Sequence, residues 1–263
     1  MGDPVRKLGV LTTHGRPDVV AEARRRLEEG AAAAGAEVVD PPEGALDLLV
    51  VLGGDGTMLR ALRSTLGTGT PVFGINFGRV GFLTTAEGGD LDSALGRALA
   101  GEFRVVDLCT LEGRLAGESH AAVNDVVVTS SQPGRMVELG WEVGGERLAD
   151  QPCDGLICCT PSGSTAYNLS NGGPVMMWGL EAMAMTFVAP HSLRARALVV
   201  PRGHDLRVTN RSAKLSVTVL VDGHVVGELE RGDGLEVALG REHSRLAVLP
   251  EVTFFARYHE VFP

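Results

Sequence analysis

Long apolar runs are missing from this 263-residue sequence. A membrane-crossing helix needs roughly 20 predominantly apolar residues, and the longest candidate, Met176 to Pro190, is broken by Gly179 and Glu181. No apolar signal region opens the sequence, so a cytoplasmic, membrane-free protein is expected. Lysine is nearly absent, with Lys7 and Lys214 the two among 24 basic residues, against 33 acidic ones. The formal net charge of −9 and the lack of a basic stripe argue against a nucleic-acid partner. Any polyanionic substrate must therefore be held locally, by backbone donors, individual arginines or a metal ion. The four cysteines (Cys109, Cys153, Cys158 and Cys159) form no CxxC pair and no zinc spacing, which fits a reducing compartment. Three familiar signatures are absent as well. Gly53–Thr57 lacks the GK[ST] of a P-loop, and Gly54-Asp55-Gly56 never completes a GxGxxG. His191-Ser192 has no GxSxG or acid partner in register, which sets aside a hydrolase.

What is present begins at Leu48–Leu52 (LLVVL), a continuous apolar run that reads as a buried parallel strand. It stops at Gly53-Gly54, and Met58–Leu66 reads as the helix that follows. Asp55 thus lies on a tight strand-to-helix turn at the carboxyl end of a central strand, where open α/β sheets bind ligands. Glycines 53, 54 and 56 remove the Cβ atoms that would keep a phosphate off the backbone, and the helix start supplies free N–H donors. A lone carboxylate repels a bare phosphate, so it needs a metal or a hydroxyl beside it. The bland alternative is an ordinary turn with an acidic residue in the first helical turn.

Around this centre, Lys7–Thr13, Glu37–Asp40, Leu46–Leu52 and Pro71–Ile75 read as strands. Helices are expected from Arg16-Pro17-Asp18 to about Ala34 and over Leu91–Ala100, with Pro41-Pro42 a loop. This order indicates an α/β domain with a mainly parallel sheet. Asn76 to Thr84, including Arg79-Val80, leaves a strand beside the Asp55 turn and is placed to line the same crevice. Phe82 there suits stacking on a planar base and equally suits packing. From Phe103 the pattern changes to alternating segments parted by turns such as Gly144-Gly145 and Asp222-Gly223, which predicts an antiparallel, sandwich-like second domain. Leu246–Leu249 and Val252–Phe255 read as closing strands that return to complete the first domain. The expected domains are 1–103 with about 245–263, and 104–244.

One further stretch is unusual. Asp154 to Pro174 (DGLICCTPSGSTAYNLSNGGP) runs from a strand into a hydroxyl-rich turn and a short helix. Thr160, Ser162, Ser164, Thr165, Tyr167 and Ser170 exceed what one helix cap needs, and they suit the ribose, phosphate and amide groups of a nucleotide. Asn124-Asp125 precedes a strand and reads as well as a plain turn dipeptide. A glycine-cradled carboxylate at a helix start with a hydroxyl-rich second loop suits phosphoryl transfer to a hydroxyl.

Gly53–Thr57, Asn76–Leu83, Asn124-Asp125, Asp154–Pro174 and Ala189–Leu193, in this order and spacing, resemble the NAD kinase family. The GGDGT-type turn is shared with lipid kinases and phosphofructokinases, whereas the DG…TPSGSTAY…GGP stretch is the specific part. The resemblance implies an enzyme that transfers the terminal phosphoryl of ATP, or of polyphosphate, to the adenosine 2′-hydroxyl of NAD with Mg²⁺ or Mn²⁺, NAD lying between two domains. It implies that Asp55 is the essential carboxylate beside that hydroxyl, with Gly56 and Thr57 along the phosphate path. Phe82 falls where the family packs the adenine region. Asn124 and Asp125 match the pair that holds the adenosine ribose, and Thr165, Ala166, Tyr167 and Ser170 the wall around adenine and phosphates. Asp154 and Ala189 match positions at the nicotinamide end shared with a neighbouring subunit, which implies a homodimer or homotetramer. Three departures stand out: Asp125 where the family usually has Glu, Pro152-Cys153 where a basic residue is common, and Asn171 in place of a smaller residue. A lipid or sugar kinase sharing only the GGDGT-type turn leaves Asp154–Pro174 unexplained. An NAD(P)-sensing module would have no need of Asp55.

Overall fold

Glycine-punctuated apolar strands and amphipathic helices alternate through the first hundred residues. The computed structural model describes residues 2–13, 15, 17–40, 42, 44–78 and 81–262. Arg16 at the expected helix start, Pro41 of the expected loop, and Arg79 and Val80 after the fourth strand lie outside the described residues. The chain divides into two units, Met1–Leu108 with His243–Pro263, and Cys109–Glu242.

The first unit contains β1 (Lys7–Thr12), α1 (Pro17–Ala33), β2 (Glu37–Val39), β3 (Leu48–Leu52), α2 (Asp55–Ser64), β4 (Val72–Asn76), β5 (Ala86–Glu87) and α3 (Leu91–Leu99). Strand β6 (Arg104–Leu115) carries the chain out of it. β2, β1, β3 and β4 lie side by side in that order, all parallel. Every residue of β3 and β4 is buried, as expected of strands covered on both faces. Helix α1 buries Val20, Ala23, Leu27 and Ala31, the three-and-four spacing of one apolar stripe, against a core that includes Leu8, Val50, Phe73 and Ile75. Gly74 in β4 lets the side chain of Met58 lie directly on the strand, where any Cβ would strike the Met58 sulfur. That close approach seats the first turns of α2 against the sheet.

The second unit contains β7 (Glu118–Ala122), β8 (Asp125–Ser130), β9 (Val137–Val143), β10 (Glu146–Cys153), β11 (Gly155–Cys159), the short α4 (Tyr167–Ser170), β12 (Ala182–Val188), β13 (Leu198–Pro201), β14 (Leu206–Asn210), β15 (Val217–Val221) and β16 (His224–Leu229). Its ladders are antiparallel. One sheet runs β13-β12-β11-β8-β15-β16. A second is built from β10, β9 and β14 with the start of β17 (Gly234–Val248), paired Leu206↔Val237. Alternate residues of the two sheets, such as Val126, Leu156 and Val219 against Leu139, Val208 and Val237, share one apolar core. This is the layered antiparallel arrangement expected from the alternating pattern.

The end of β17 belongs to the first unit and pairs in parallel with β4, Leu246↔Val72 and Ala247↔Phe73. The expected last strand, Val252–Phe255, is not one. Thr253 caps a helix there, α5 (Phe254–Val261), its side chain accepting from the Ala256 N–H at 3.1 Å. Phe254 and Tyr258, four residues apart, then stack along one helix face with ring centres 6.4 Å apart.

Phe73 is wholly buried in the middle of the parallel sheet. Truncating a fully buried phenylalanine removes ~3–5 kcal/mol. Phe73→Ala is therefore expected to lower the urea midpoint sharply, whereas Val19→Ala, on the exposed side of α1, leaves it nearly unchanged. Similar midpoints for the two variants would contradict the placement of this core.

Candidate functional site

In the first unit the candidate site is the turn between β3 and α2. Gly53 donates its N–H to the Ile75 carbonyl at 2.9 Å, which ties the turn to β4. A Cβ on Gly53 would lie 2.8 Å from the Thr57 hydroxyl oxygen and 3.2 Å from the Thr13 Cβ, so glycine is required for the tight approach. Thr57 is consequently buried beneath the turn. Helix α2 starts at Asp55, three residues earlier than the expected Met58. Its capping residue is Gly54, which has no side chain to occupy the free N–H groups. Gly56 is exposed with open space around it. The helix start is thus bare at Gly56, and a positive dipole end faces outward there.

Asp55 does not point into open solvent. Its Oδ2 accepts from the Phe82 N–H at 2.9 Å and its Oδ1 from the Leu83 N–H at 3.1 Å. Gly81 presses against the carboxylate so closely that any Cβ would collide with it. Burial pushes the Asp55 carboxyl above its ordinary range. The Leu83 and Phe82 N–H groups, the positive charge of Arg257 and the Thr84 N–H pull against that rise. The result is a fixed carboxylate that takes up a proton more readily than a surface aspartate. Phe82 itself is 6% exposed, with its ring 6.1 Å from Phe254 and 5.6 Å from Phe262. Its side chain packs against the C-terminal segment, and its backbone N–H serves Asp55. Of the two sequence readings of Phe82, packing is what these contacts favour.

In the second unit the candidate residues gather on the turn before β8 and on the segment after β11. Asp125 opens β8, and Asn124 precedes it. The side-chain oxygen of Asn124 is buried with no hydrogen-bond partner among the described residues. Asp125 is 7% exposed, and burial together with the neighbouring Asp222 carboxylate pushes its carboxyl up to about 7. A plain turn dipeptide satisfies such groups locally; this pair instead presents an orphaned acceptor and a desolvated carboxyl. Asp222 holds the backbone in this shape. Its carboxylate accepts from the N–H groups of Val123 at 3.0 Å, Asn124 at 2.8 Å and Asp125 at 3.2 Å, and its own φ of 48° lies in the left-handed region. The sequence signal, Asp222-Gly223, reads as a hairpin turn and gives no hint of this clamp.

The hydroxyl-rich stretch divides in two. Thr160 and Ser162 donate to the Val123 carbonyl at 2.6 and 3.0 Å, and Ser164 donates to the Pro161 carbonyl at 2.7 Å. All three are buried, Thr160 and Ser162 bonded to the turn before β8 and Ser164 within its own loop, so they build the scaffold, and the expectation that they meet a ligand is corrected. Gly163 lies against the Asn124 backbone, where a Cβ would strike the Asn124 carbonyl. Asn168, wholly buried, donates to the Ser164 and Pro174 carbonyls at 3.0 Å each and accepts from Thr186 at 2.7 Å. The Asn168 bonds hold the loop's own shape, and the Thr160 N–H to the Asn124 carbonyl at 2.9 Å, with the two hydroxyls on the Val123 carbonyl, ties it to the Asn124-Asp125 turn. Tyr167 and Ser170 are exposed, Thr165 and Ala166 partly so, with the Thr165 hydroxyl donating to the Ser162 carbonyl at 3.2 Å. Asp154 is exposed. Ala189 is exposed and holds φ 42°, a strained value for a residue with a Cβ. Among the described residues no group of three or more His, Cys, Asp or Glu side chains converges to hold a metal ion. No described helix is long and apolar enough to cross a membrane.

The Gly81 cradle makes a direct test. Gly81→Ala forces the carboxylate off its two donors and is expected to cost ~1–3 kcal/mol, with faster amide exchange at Phe82 and Leu83. Gly56→Ala meets no atom and should leave both amides protected. Unchanged exchange in Gly81→Ala would contradict the cradle.

Comparison with known proteins bears on what these two sites do. A family model described as ATP-NAD kinase N-terminal domain matches residues 22–103, and one described as ATP-NAD kinase C-terminal domain matches residues 123–249. A NAD kinase of Heliobacterium modesticaldum is 43% identical over 80% of this chain and 76% of its own. Among solved structures, an NAD kinase from Archaeoglobus fulgidus in complex with ATP matches with a TM-score of 0.75 and 27% identity, over 97% of this chain and 98% of that one. The yeast NADH kinase complexed with NADH shares the fold, with a TM-score of 0.86 at 23% identity over 98% of this chain and 88% of its own. With both family domains matched in order, and a curated relative this similar over most of both chains, the protein belongs to the NAD kinase family.

Proposed function

We propose that this chain transfers the terminal phosphoryl of ATP to the adenosine 2′-hydroxyl of NAD, giving NADP. The observation that carries this reading is the Asp55 carboxylate, held by two backbone N–H groups at the start of a glycine-capped helix. In the proposed step the 2′-oxygen attacks the terminal phosphorus, the bond from phosphorus to the bridging oxygen breaks, and ADP leaves. The 2′-hydroxyl proton passes to Asp55, whose burial raises its proton affinity. The exposed helix start at Gly56 suits the phosphates. A divalent ion, Mg²⁺ or Mn²⁺, is proposed to be carried by the phosphates of the donor, where it would neutralise their charge.

Asn124 and Asp125 are proposed to hold the adenosine ribose. The Asn124 oxygen, without a donor among the described residues, and the buried Asp125 carboxyl both suit the hydroxyls of a sugar. Thr165, Ala166, Tyr167 and Ser170 are proposed to wall the adenine and phosphates. Asp154 and the strained Ala189 are proposed to meet the nicotinamide end in a homodimer or homotetramer. Exposed Leu193, Leu198 and Val199 in the same unit support self-association. A cytoplasmic location is proposed on the reduced, buried cysteines. Polyphosphate is the alternative donor, and turnover of NAD or NADH with each donor identifies which pair is used.

Three outcomes are expected. Asp55→Asn should lower turnover at least ~10²-fold with far less change in NAD affinity; near-normal turnover would remove Asp55 from the reaction. Asp125→Ala should raise the KM for NAD about 10- to 100-fold with little effect on ATP, because bonds to charged groups contribute ~1.5–3 kcal/mol, while Asp125→Glu is better tolerated. An unchanged KM in Asp125→Ala would reduce the pair to a turn. The third concerns pH. Ribose hydroxyls donate to the ionised carboxylate, so NAD binding should strengthen as pH rises through about 7 and weaken below it. Folding of the free protein takes the opposite sign, because a raised carboxyl pKa makes ionisation costlier in the folded state: stability from this group is lost as pH rises from about 4 to about 7. The melting advantage of Asp125→Asn over the native protein should therefore grow between pH 5 and 8. A pH-independent difference would contradict the assignment.

A further inference from the structure

Helix α5, misread in sequence as a strand, reaches the Asp55 site through a side chain no motif marks. Arg257 is 7% exposed, an unusual state for a guanidinium. One of its terminal nitrogens, Nη2, donates to the backbone carbonyls of both Thr84 at 2.6 Å and Thr85 at 2.9 Å. The other, Nη1, donates to Glu260 at 2.7 Å, one turn further along α5. Its Nε is buried without a partner among the described residues. Leaving it so costs free energy, as does desolvating the charge, so packing alone does not account for an arginine at this position.

The carbonyls it grips belong to the segment that gives Asp55 its donors. Phe82 and Leu83, which bind the carboxylate, are followed at once by Thr84 and Thr85. The segment is pinned at the same point by the Thr85 N–H to the Gly74 carbonyl at 2.8 Å and by the Thr85 hydroxyl to the Ala247 carbonyl at 2.9 Å. Independently, Phe82 packs on Phe254, from the first turn of α5. The helix thus holds both ends of the 82–85 segment, one by ring contact and one by guanidinium. Of the other charged groups nearby, Glu260 pairs with Arg257 itself, and Arg60 on α2 donates to the Thr12 carbonyl at 2.9 Å.

We propose that Arg257 is a positioning residue for the phosphoryl transfer, fixing through the Thr84 and Thr85 carbonyls the backbone N–H groups that aim the Asp55 carboxylate. This inference rests on the proposed role of Asp55. It assigns to the C-terminal helix a part in the reaction that lies outside the matched family domains, which end at residue 249. A misplacement of about 1 Å in such a group costs up to ~10²-fold in rate, so the grip needs only to prevent a small shift.

The test compares NAD and ATP saturation in the full chain for wild type, Arg257→Gln, Asp55→Asn and the double variant. Arg257→Gln is expected to lower kcat ~10-fold or more while the KM for NAD stays within about twofold. In the Asp55→Asn background the same change should lower the residual rate less than about twofold, because the group it positions is already gone. Arg257→Lys keeps the charge but lacks the planar fork; it should fold, as judged by a cooperative melt, and give a smaller kcat loss with the same KM. Equal fold-losses in both Asp55 backgrounds would overturn the inference, as would a kcat within twofold of wild type in Arg257→Gln, a loss confined to KM, or failure of both variants to fold. If Asp55→Asn turns over normally, the reading of Asp55 falls and this inference with it. If Asp55→Asn is slowed at least ~10²-fold and its residual rate falls by the full Arg257→Gln factor in the double variant, this inference alone fails.

Discussion

The structure of the first unit turns on one contact, the carboxylate of Asp55 seated on the backbone N–H groups of Phe82 and Leu83. Burying a carboxylate costs several kcal/mol unless donors compensate, and these two N–H groups supply that compensation. Gly81 lets the backbone approach, Gly53 lets the turn close over Thr57, and Gly74 lets α2 settle on the sheet. The residue is neither a free surface charge nor a fully neutralised partner in an ion pair. It is held in one orientation with its proton affinity raised, as suits the proton acceptor proposed for the phosphoryl transfer.

The second unit solves a different problem. Its loop after β11 uses buried hydroxyls and Asn168 to hold its own backbone, and beside it lie a buried Asn124 oxygen without a partner among the described residues and the buried Asp125 carboxyl. The Asp222 carboxylate, bonded to three successive N–H groups, stabilises the turn and at the same time raises the neighbouring carboxyl. One negative charge therefore shapes the turn and keeps Asp125 poised to gain from hydroxyl donors. Donors that complete such a network contribute more in a desolvated site than in water.

The parallel sheet, the position of Asp55 on its turn and the antiparallel character of the second unit were legible from local pattern, because the buried runs at Leu48–Leu52 and the glycines beside them act over a few residues. What was not legible depends on distance along the chain or on which groups are already bonded. Arg257 meets carbonyls 172 and 173 residues away, and no spacing rule connects them. Val252–Phe255 alternates and is rich in aromatic and β-branched residues, as a strand would be, until the Thr253 cap turns it into a helix. The hydroxyls of Thr160, Ser162 and Ser164 have the composition of a binding loop, yet their bonds run inward. Composition counts donors; it does not say where they point.

Regiochemistry reports on the whole arrangement at once, since only a hydroxyl beside a fixed base becomes the nucleophile. The most direct measurement is phosphorus NMR of the product formed by the purified protein from NAD and magnesium ATP. A single new phosphomonoester resonance is expected, from phosphate on the 2′-oxygen of the adenosine ribose, formed in step with ADP. Phosphate at any other hydroxyl, or ADP released without a phosphorylated dinucleotide, would contradict the proposed transfer.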